Sequence, residues 1–198
     1  KKGTPVEAIY ISATQQDNPN IMSLNDLENI KNKKVILSHI SNTLSKLLEC
    51  KIRVTCIRNP IDRMISSFNH FELLSNSKQS LVDIYKNDKD KFNTFSQNIL
   101  TSKEWMDDIN KYQFIIVLEN MQNDLMAIKT HLNVSENIKI PHINPCKVTK
   151  QYENYFILDL DNPIHDEMVK YLKERLKPDI DKYNTICQLK GLNHLIIC

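Results

Sequence analysis

Short apolar runs in this chain are separated by longer stretches in which hydrophobic residues recur at helical intervals. Three of the runs are rich in β-branched residues, which favour strands because their stiff side chains pack well on a pleated surface. They predict strands at residues 34–40, 52–57 and 113–118. The third run is apolar enough for both of its faces to be covered, which is typical of a strand in a parallel sheet.

Helices are predicted where hydrophobic residues return every three or four positions. One such stretch follows Pro60, a second covers residues 121–132, and a third covers residues 163–176. Asn162 precedes the third stretch and Pro163 opens it, and these residue types suit the cap and the first turn of a helix. Strands that alternate with helices favour an α/β fold with a mainly parallel sheet.

Three further segments complete what we expect to be a single domain of residues 1–198. Residues 75–112 are polar with scattered aromatic residues, and they predict one or two helices that form a cap over a site. Residues 133–155 show no clear period and contain two prolines, and so they predict a loop. Residues 191–198 predict a short final strand.

Composition and charge exclude several classes of protein. The net charge is only +2, and no apolar run is long enough to span a bilayer, so the chain resembles neither a nucleic-acid-binding protein nor a transmembrane protein. The five cysteines and six histidines lack the spacing of a zinc site, and we expect no metal. Arginine is rare, yet three of the four arginines lie between positions 53 and 63.

This arginine-rich segment carries the most chemical information. Arg58 stands at the carboxyl end of a predicted strand, where ligands of open α/β sheets bind. Asn59 can cap the following helix, Asp62 suits its positive end, and Ser66 adds a hydroxyl two turns on. An Arg and a Ser in this arrangement can clamp a phosphate. In the alternative interpretation Arg58 pairs with an acidic neighbour and Ser66 is a small packing residue.

The pattern Arg58-Asn-Pro-x-x-Arg-x-x-Ser66-Ser-Phe resembles the 3′-phosphate-binding segment of sulfotransferases that use 3′-phosphoadenosine 5′-phosphosulfate (PAPS). The resemblance implies that Arg58 and Ser66 hold the 3′-phosphate of the nucleotide. It also implies a P-loop-like three-layer fold, in which helices flank a central, mainly parallel sheet. Asn59 replaces the usual Asp of the motif and keeps its capping ability.

The resemblance extends along the chain. The segment Leu-Ser-His39-Ile-Ser resembles a Gly-His-Val-Ser segment of the heparan sulfate and uronyl 2-O-sulfotransferases, whose His is the proposed catalytic base. The strand that ends at Glu119 resembles a strand-Thr-Glu-helix segment, and we expect Glu119 to organise loops through hydrogen bonds. Residues 142–150 resemble the basic loop that closes over the nucleotide, which makes Lys147 and Lys150 candidate contacts.

The loop for the 5′-phosphosulfate is matched less completely. Lys1, Gly3 and Thr4 fit the Lys-x-Gly-[Ser/Thr] pattern of the family, whereas Pro5 replaces a hydroxyl residue and removes a backbone donor. The strand that precedes this loop in the family would lie upstream of Lys1. In the implied reaction Lys1 neutralises the bridging oxygen of the leaving phosphate and His39 is the general base. The product of the donor is 3′-phosphoadenosine 5′-phosphate.

Other functions stay open or are excluded at this stage. A P-loop kinase needs Gly-x-x-x-x-Gly-Lys-[Ser/Thr], which a chain whose only glycines are Gly3 and Gly191 cannot contain. A binding module of sulfotransferase-like fold without catalysis is one alternative, and a tyrosine or small-molecule sulfotransferase is another. We expect Arg63 to be an ion-pair partner of Asp62, Asp83 or another helix acid. A bacterial or viral protein of this kind would be cytoplasmic, whereas a fragment of an animal enzyme would come from the Golgi lumen.

Overall fold

The chain divides into two compact units, residues 1–53 and 54–198, which are described separately. The computed structural model describes residues 8–11, 35–38, 52–75, 79–103, 106, 109, 112–134 and 156–197.

Two strands are described in the first unit. Strand β1 (Ala8–Ile11) pairs in parallel with strand β2 (Val35–Ser38), and Ala8 lies opposite Val35. Strand β2 confirms the prediction for residues 34–40, whereas β1 is not predicted by the sequence pattern. Parallel strands need a crossover of about a dozen residues or more, and the 12–34 interval meets that length.

The second unit combines a parallel strand pair with helices and confirms the expected α/β class. Strands β3 and β4 pair in parallel, as the expected P-loop-like fold with helices beside a parallel sheet requires. None of the described helices is long and apolar enough to cross a membrane. The elements in chain order are β3 (Val54–Ile57), α1 (Pro60–Ser75), α2 (Leu81–Asn87), α3 (Lys89–Phe95), β4 (Phe114–Val117), α4 (Met121–His131), α5 (Pro163–Arg175) and α6 (Lys177–Leu189).

The predicted helix boundaries follow from their caps. The side chain of Asn162 accepts a hydrogen bond from the backbone N–H of Ile164 at 3.2 Å, and Pro163 is the first residue of α5, as expected. Within the polar segment 75–112, Ser80 caps α2 and Asp88 caps α3 in the same way. Helices α2 and α3 therefore both lie within this segment.

Helix α6 is missing from the predictions, and the predicted final strand at residues 191–198 is wrong. Gly191 adopts a left-handed conformation with φ of 70° directly after α6. The N–H of Leu192 then bonds back to the carbonyl of Cys187 at 2.8 Å, and a short 3₁₀ turn follows at Asn193–Leu195. The backbone N–H groups that a strand would use for pairing are bonded instead to carbonyls at the end of the helix.

Helix α6 belongs to both hydrophobic cores of this unit. Its Ile180 packs into a core between helices, which also contains Met64, Phe68, Met168 and Leu172. Its Tyr183, Ile186 and Cys187 pack in a second core against the ends of the strands. That second core contains Ile57, Leu100, Val117, Tyr183, Ile186, Cys187 and Leu192.

Helices α4 and α6 end in the same way. After α4, Asn133 has a positive φ of 53°, its N–H bonds to the carbonyl of Thr130, and the N–H of Val134 bonds to that of Lys129. After α6, Gly191 occupies the equivalent left-handed position. Both ends are Schellman motifs, in which two backbone bonds satisfy carbonyls at the end of the helix.

Candidate functional site

The carboxyl ends of β3 and β4 lie side by side. Ile57 is the register partner of Val117, so the residues that follow them, Arg58 and Leu118, leave the sheet at the same edge. Ligands of α/β proteins bind outside this edge. Arg58 therefore lies where the sequence predicts a ligand-binding side chain.

Asn59 fixes the start of α1. Its side-chain Oδ1 accepts hydrogen bonds from the N–H groups of Ile61 at 2.9 Å and Asp62 at 3.4 Å. Its backbone carbonyl accepts from the N–H of Arg63 at 2.8 Å. The predicted cap is confirmed, and it places Arg58 beside a helix N-terminus, whose partial positive charge favours an anion.

Within the described ranges, the donors of the Arg58 guanidinium are available. Arg58 is partly buried and, within the described part of the chain, makes no hydrogen bond or salt bridge. It interacts with Asp62 only through the electrostatic field: burial raises the pKa of Asp62, the charge of Arg58 opposes that rise, and Glu119 adds to it. Among the described residues, the alternative of an Arg58 paired with an acidic neighbour is limited to this long-range attraction. A planar fork of N–H groups without a bonded carboxylate suits a phosphate.

Ser66 lies exposed on α1. It follows Asp62 by four residues, so both side chains lie on the same face of the helix. The alternative in which Ser66 is a packing residue is wrong, because Ile61, Met64 and Phe68 form the buried face of α1. Its hydroxyl is exposed on the helix face that also carries Asp62.

Glu119 confirms the expectation that it organises loops. Its Oε1 accepts a hydrogen bond from the backbone N–H of Asn59 at 2.8 Å, and its Oε2 accepts one from the Tyr183 hydroxyl at 3.1 Å. Tyr183 is buried, and burial, followed by the charge of Glu119, raises the pKa of its hydroxyl. The carboxylate thus joins the loop after β3, the turn after β4 and helix α6.

A buried carboxylate supports the turn that carries Glu119. Asp124 accepts hydrogen bonds from the N–H of Val117 at 2.7 Å and from the side chain of Asn120 at 3.0 Å. It also forms a salt bridge of 2.9 Å with Lys190, whose ammonium donates to the carbonyl of Ile115 at 2.8 Å. The end of β4 is therefore held by α4 and by the end of α6.

Arg63 differs from its prediction. Its guanidinium donates to the carbonyl of Gln97 at 2.6 Å, and the described residues include no salt bridge from it to Asp62 or Asp83. Burial lowers the pKa of Arg63, and the charge of Asp179 on α6 counteracts this effect. Arg63 ties α1 to the segment after α3, a structural contact away from the open donors of Arg58.

The remaining predicted site residues lie outside the described residues. They are Lys1, Gly3, Thr4, His39, Lys147 and Lys150. Strand β2 ends at Ser38, so His39 directly follows the carboxyl end of a parallel strand. In the described ranges no three His, Cys, Asp or Glu side chains are grouped so as to hold a metal ion.

Sequence reasoning missed Tyr183. The predicted helices end at residue 176 and leave its position out. Apolar residues nevertheless recur after that point at intervals of four, three and four residues, namely at Leu176, Ile180, Tyr183 and Cys187. That spacing is the signal of a buried helix face and could have located α6. It could not have located the partner of the hydroxyl, because Glu119 is 64 residues away in the chain.

Comparison with known proteins agrees with this geometry. A model of the sulfotransferase family matches residues 11–184, most of the chain, including the segment from Arg58 to Ser66 and Glu119. The matched residues begin after Lys1, Gly3 and Thr4. No significant match to a curated protein or to a solved structure is found. Because the family model matches most of the chain and includes the segment from Arg58 to Ser66, the chain belongs to the sulfotransferase family.

Proposed function

We propose that this sulfotransferase takes a sulfuryl group from PAPS and transfers it to a hydroxyl of a carbohydrate acceptor. PAPS supplies an activated sulfuryl group on its 5′-phosphate and carries a 3′-phosphate that AMP and ATP lack. The observation that carries the donor assignment is Arg58, whose guanidinium has no bonded partner in the described ranges and lies beside a capped helix N-terminus.

Arg58 and Ser66 bind the 3′-phosphate in this proposal. The guanidinium can present two parallel N–H groups to two phosphate oxygens, and charge-assisted bonds of this kind are about twice as strong as neutral ones. The exposed hydroxyl of Ser66 donates a further bond from the face of α1 that it shares with Asp62. The start of α1 adds the partial positive charge of its unpaired N–H groups.

The remaining catalytic roles fall on residues outside the described ranges. Thr4 and the backbone around Gly3 hold the 5′-phosphate. His39 takes the proton of the acceptor hydroxyl as its oxygen bonds to sulfur. Lys1 stabilises the bridging oxygen as the bond from sulfur to the phosphate breaks, and the electron pair leaves with 3′-phosphoadenosine 5′-phosphate.

A loop of residues 133–155 covers the nucleotide in this proposal, with Lys147 and Lys150 as its contacts. The contacts of Phe156, the residue that follows this loop, support the proposal. Phe156 is tied to buried Asn69 by two hydrogen bonds, from its own N–H at 2.9 Å and to its carbonyl at 3.0 Å. Asn69 lies on α1, so the loop ends on the helix that carries the phosphate-binding serine.

The acceptor side is assigned to residues 75–112, the proposed cap of one domain covering residues 1–198. Helices α2 and α3 of this segment pack into the core that α1 also lines. A carbohydrate acceptor rests on the resemblance of the His39 segment to the 2-O-sulfotransferases. A tyrosine or small-molecule hydroxyl is the alternative acceptor that the same machinery would accommodate.

One observation favours a second candidate, a nucleotide-binding module without transferase activity. The family match begins at residue 11 and leaves out Lys1, Gly3 and Thr4, while Pro5 removes a donor from that loop. In this case Arg58 and Ser66 would still bind the 3′-phosphate, but no sulfuryl group would be transferred.

Calorimetric titration with 3′-phosphoadenosine 5′-phosphate and with AMP tests the donor site. The wild-type chain should prefer the 3′-phosphorylated nucleotide, and Arg58→Ala should weaken its binding about tenfold or more, since each lost charge-assisted bond contributes roughly 1.5–3 kcal/mol. AMP binding should stay unchanged in the variant. Ser66→Ala should weaken the preference as well, whereas Ser67→Ala, at the neighbouring exposed serine, should not.

Loss of AMP and 3′-phosphorylated nucleotide binding in equal measure would contradict the assignment of Arg58. Replacing His39 with Ala separates the two candidate functions. A transferase should lose sulfuryl transfer to a carbohydrate hydroxyl and keep its nucleotide affinity. A wild-type chain that binds the nucleotide and transfers to no hydroxyl would favour the binding module.

A further inference from the structure

We propose that Glu119 and Tyr183 are positioning residues that hold Arg58 in the conformation that binds the 3′-phosphate. The proposal rests on the proposed function, because it assigns a purpose to contacts around that phosphate site. It adds a dependence of nucleotide affinity on helix α6, which is far from Arg58 in the sequence.

The argument begins at the peptide bond between Arg58 and Asn59. Three polar groups of Asn59 are already bonded: the N–H to Glu119, the side-chain oxygen to Ile61, and the carbonyl to Arg63. The N–H belongs to the same rigid plane as the carbonyl of Arg58. The bond to Glu119 therefore sets the direction in which the chain leaves Arg58.

Glu119 is itself held from the opposite side. Its second carboxylate oxygen accepts from Tyr183, which is 1% exposed and packs among Ile57 and Val117, the last residues of the two strands. Burial keeps the hydroxyl protonated, because it raises the pKa of Tyr183. The hydroxyl is thus a fixed donor, set by the same core that sets the ends of the strands.

The negative charge of Glu119 allows its positioning role to be distinguished from a purely electrostatic effect on nucleotide binding. A carboxylate beside a site for an anion weakens anion binding by repulsion. If charge were its only influence, removing the charge should strengthen nucleotide binding. If Glu119 orients Arg58, the same change should weaken binding, because a neutral amide gives up the charge-assisted strength of the bonds that the carboxylate accepts from Asn59 and Tyr183.

The experiment measures nucleotide affinity in Glu119→Gln and Tyr183→Phe. Both variants should bind 3′-phosphoadenosine 5′-phosphate about two- to tenfold more weakly, the range of one hydrogen bond, and should bind AMP as the wild type does. In an Arg58→Ala background neither change should have a further effect, since they act through Arg58. The control is Tyr171→Phe. It removes the hydroxyl of Tyr171 on α5, which donates to the side chain of Asn93 on α3, and it should leave both affinities unchanged.

The outcomes separate this inference from the proposed function. If Arg58→Ala leaves the preference for the 3′-phosphate intact, the proposed function fails. If Arg58→Ala abolishes that preference, but Glu119→Gln strengthens binding or Tyr183→Phe leaves it unchanged, the positioning role is overturned. An effect of either variant that persists without Arg58 also overturns it. Glu119 is exposed, so its Gln variant supplies a folded test even if Tyr183→Phe unfolds the chain.

Discussion

At the scale of single residues, the charges at the start of α1 oppose each other. Arg58 offers donors to an anion, while the carboxylate of Asp62 lies within its field and is partly buried. Burial raises the pKa of Asp62, while the charge of Arg58 opposes that rise and favours the carboxylate. Asp62 thereby stabilises the helix start and weakens the attraction for a phosphate.

Replacing Asp62 with Asn should strengthen the binding of 3′-phosphoadenosine 5′-phosphate about two- to fivefold at neutral pH, since one repulsive charge is removed. The advantage should shrink as the pH falls, because the wild-type carboxyl then takes up a proton at its raised pKa and loses the same charge. Titrations of both proteins from neutral pH down to the ordinary range of an aspartate, about pH 4, would measure this convergence. A constant ratio of affinities across that range would contradict it.

At the scale of elements, the two Schellman motifs allow a direct comparison. The chain has only two glycines, and one of them, Gly191, occupies the left-handed position after α6. After α4 the same position is taken by Asn133, which tolerates this conformation better than other non-glycine residues. The space beside Gly191 is open, since nothing lies within 4 Å of where a Cβ would be. Any cost of substitution there is conformational.

The order of stability at both helix ends should therefore be Gly, then Asn, then Ala. Gly191→Ala should lower the free energy of unfolding by about 1 kcal/mol, and Gly191→Asn by less. Asn133→Ala should be destabilising, whereas Asn133→Gly should be neutral or stabilising by less than about 1 kcal/mol. Urea unfolding of the four variants measures the series. An alanine as stable as asparagine at either site would show that the φ angle does not control the cost.

At the scale of the whole second unit, α6 joins the core between the helices to the core at the strand ends. Ile180 and Ile186, both 6% exposed, lie in different cores on one helix. A helix cannot lose one half of its packing without loosening the other, so we expect residues 54–198 to unfold as one cooperative unit.

Ile180→Ala and Ile186→Ala should each lower the free energy of unfolding by about 2–5 kcal/mol. Amide signals of α5 and of β4, followed by NMR through a urea titration, should shift together in both variants. The matched control is Leu189→Ala, which lies on the same helix, is 83% exposed and should change stability by less than about 0.5 kcal/mol. A variant that moves only the nearer set of signals would show two independent cores.

Sequence reasoning reached the features that are encoded locally. The strand before Arg58 and the Asn59 cap lie within one short segment, and their residue types and spacing specify them. The same holds for the Asn162 cap of α5. These parts of the candidate site could be predicted because neighbours in sequence form the contacts.

The rest depends on contacts between distant residues. The sequence predicts that Arg63 pairs with Asp62, Asp83 or another helix acid, but its hydrogen bond in the described ranges goes to the carbonyl of Gln97, 34 residues away. Helix α6 begins immediately after α5, with Leu176 as the end of one and the cap of the other, so no loop signal separates the two. The bond from Tyr183 to Glu119 joins two elements that only the tertiary fold brings together.

The carboxylate of Glu119, which bonds to both Asn59 and Tyr183, also implies an effect of the nucleotide site on α6. If the order of α6 supports the nucleotide site, linkage requires the bound nucleotide to support α6 by the same free energy. Amide hydrogens of α6 should then exchange with solvent more slowly in the complex, although no atom of that helix needs to touch the ligand. The C-terminal helix would in this way report on the occupancy of a site at the other end of a hydrogen-bond chain.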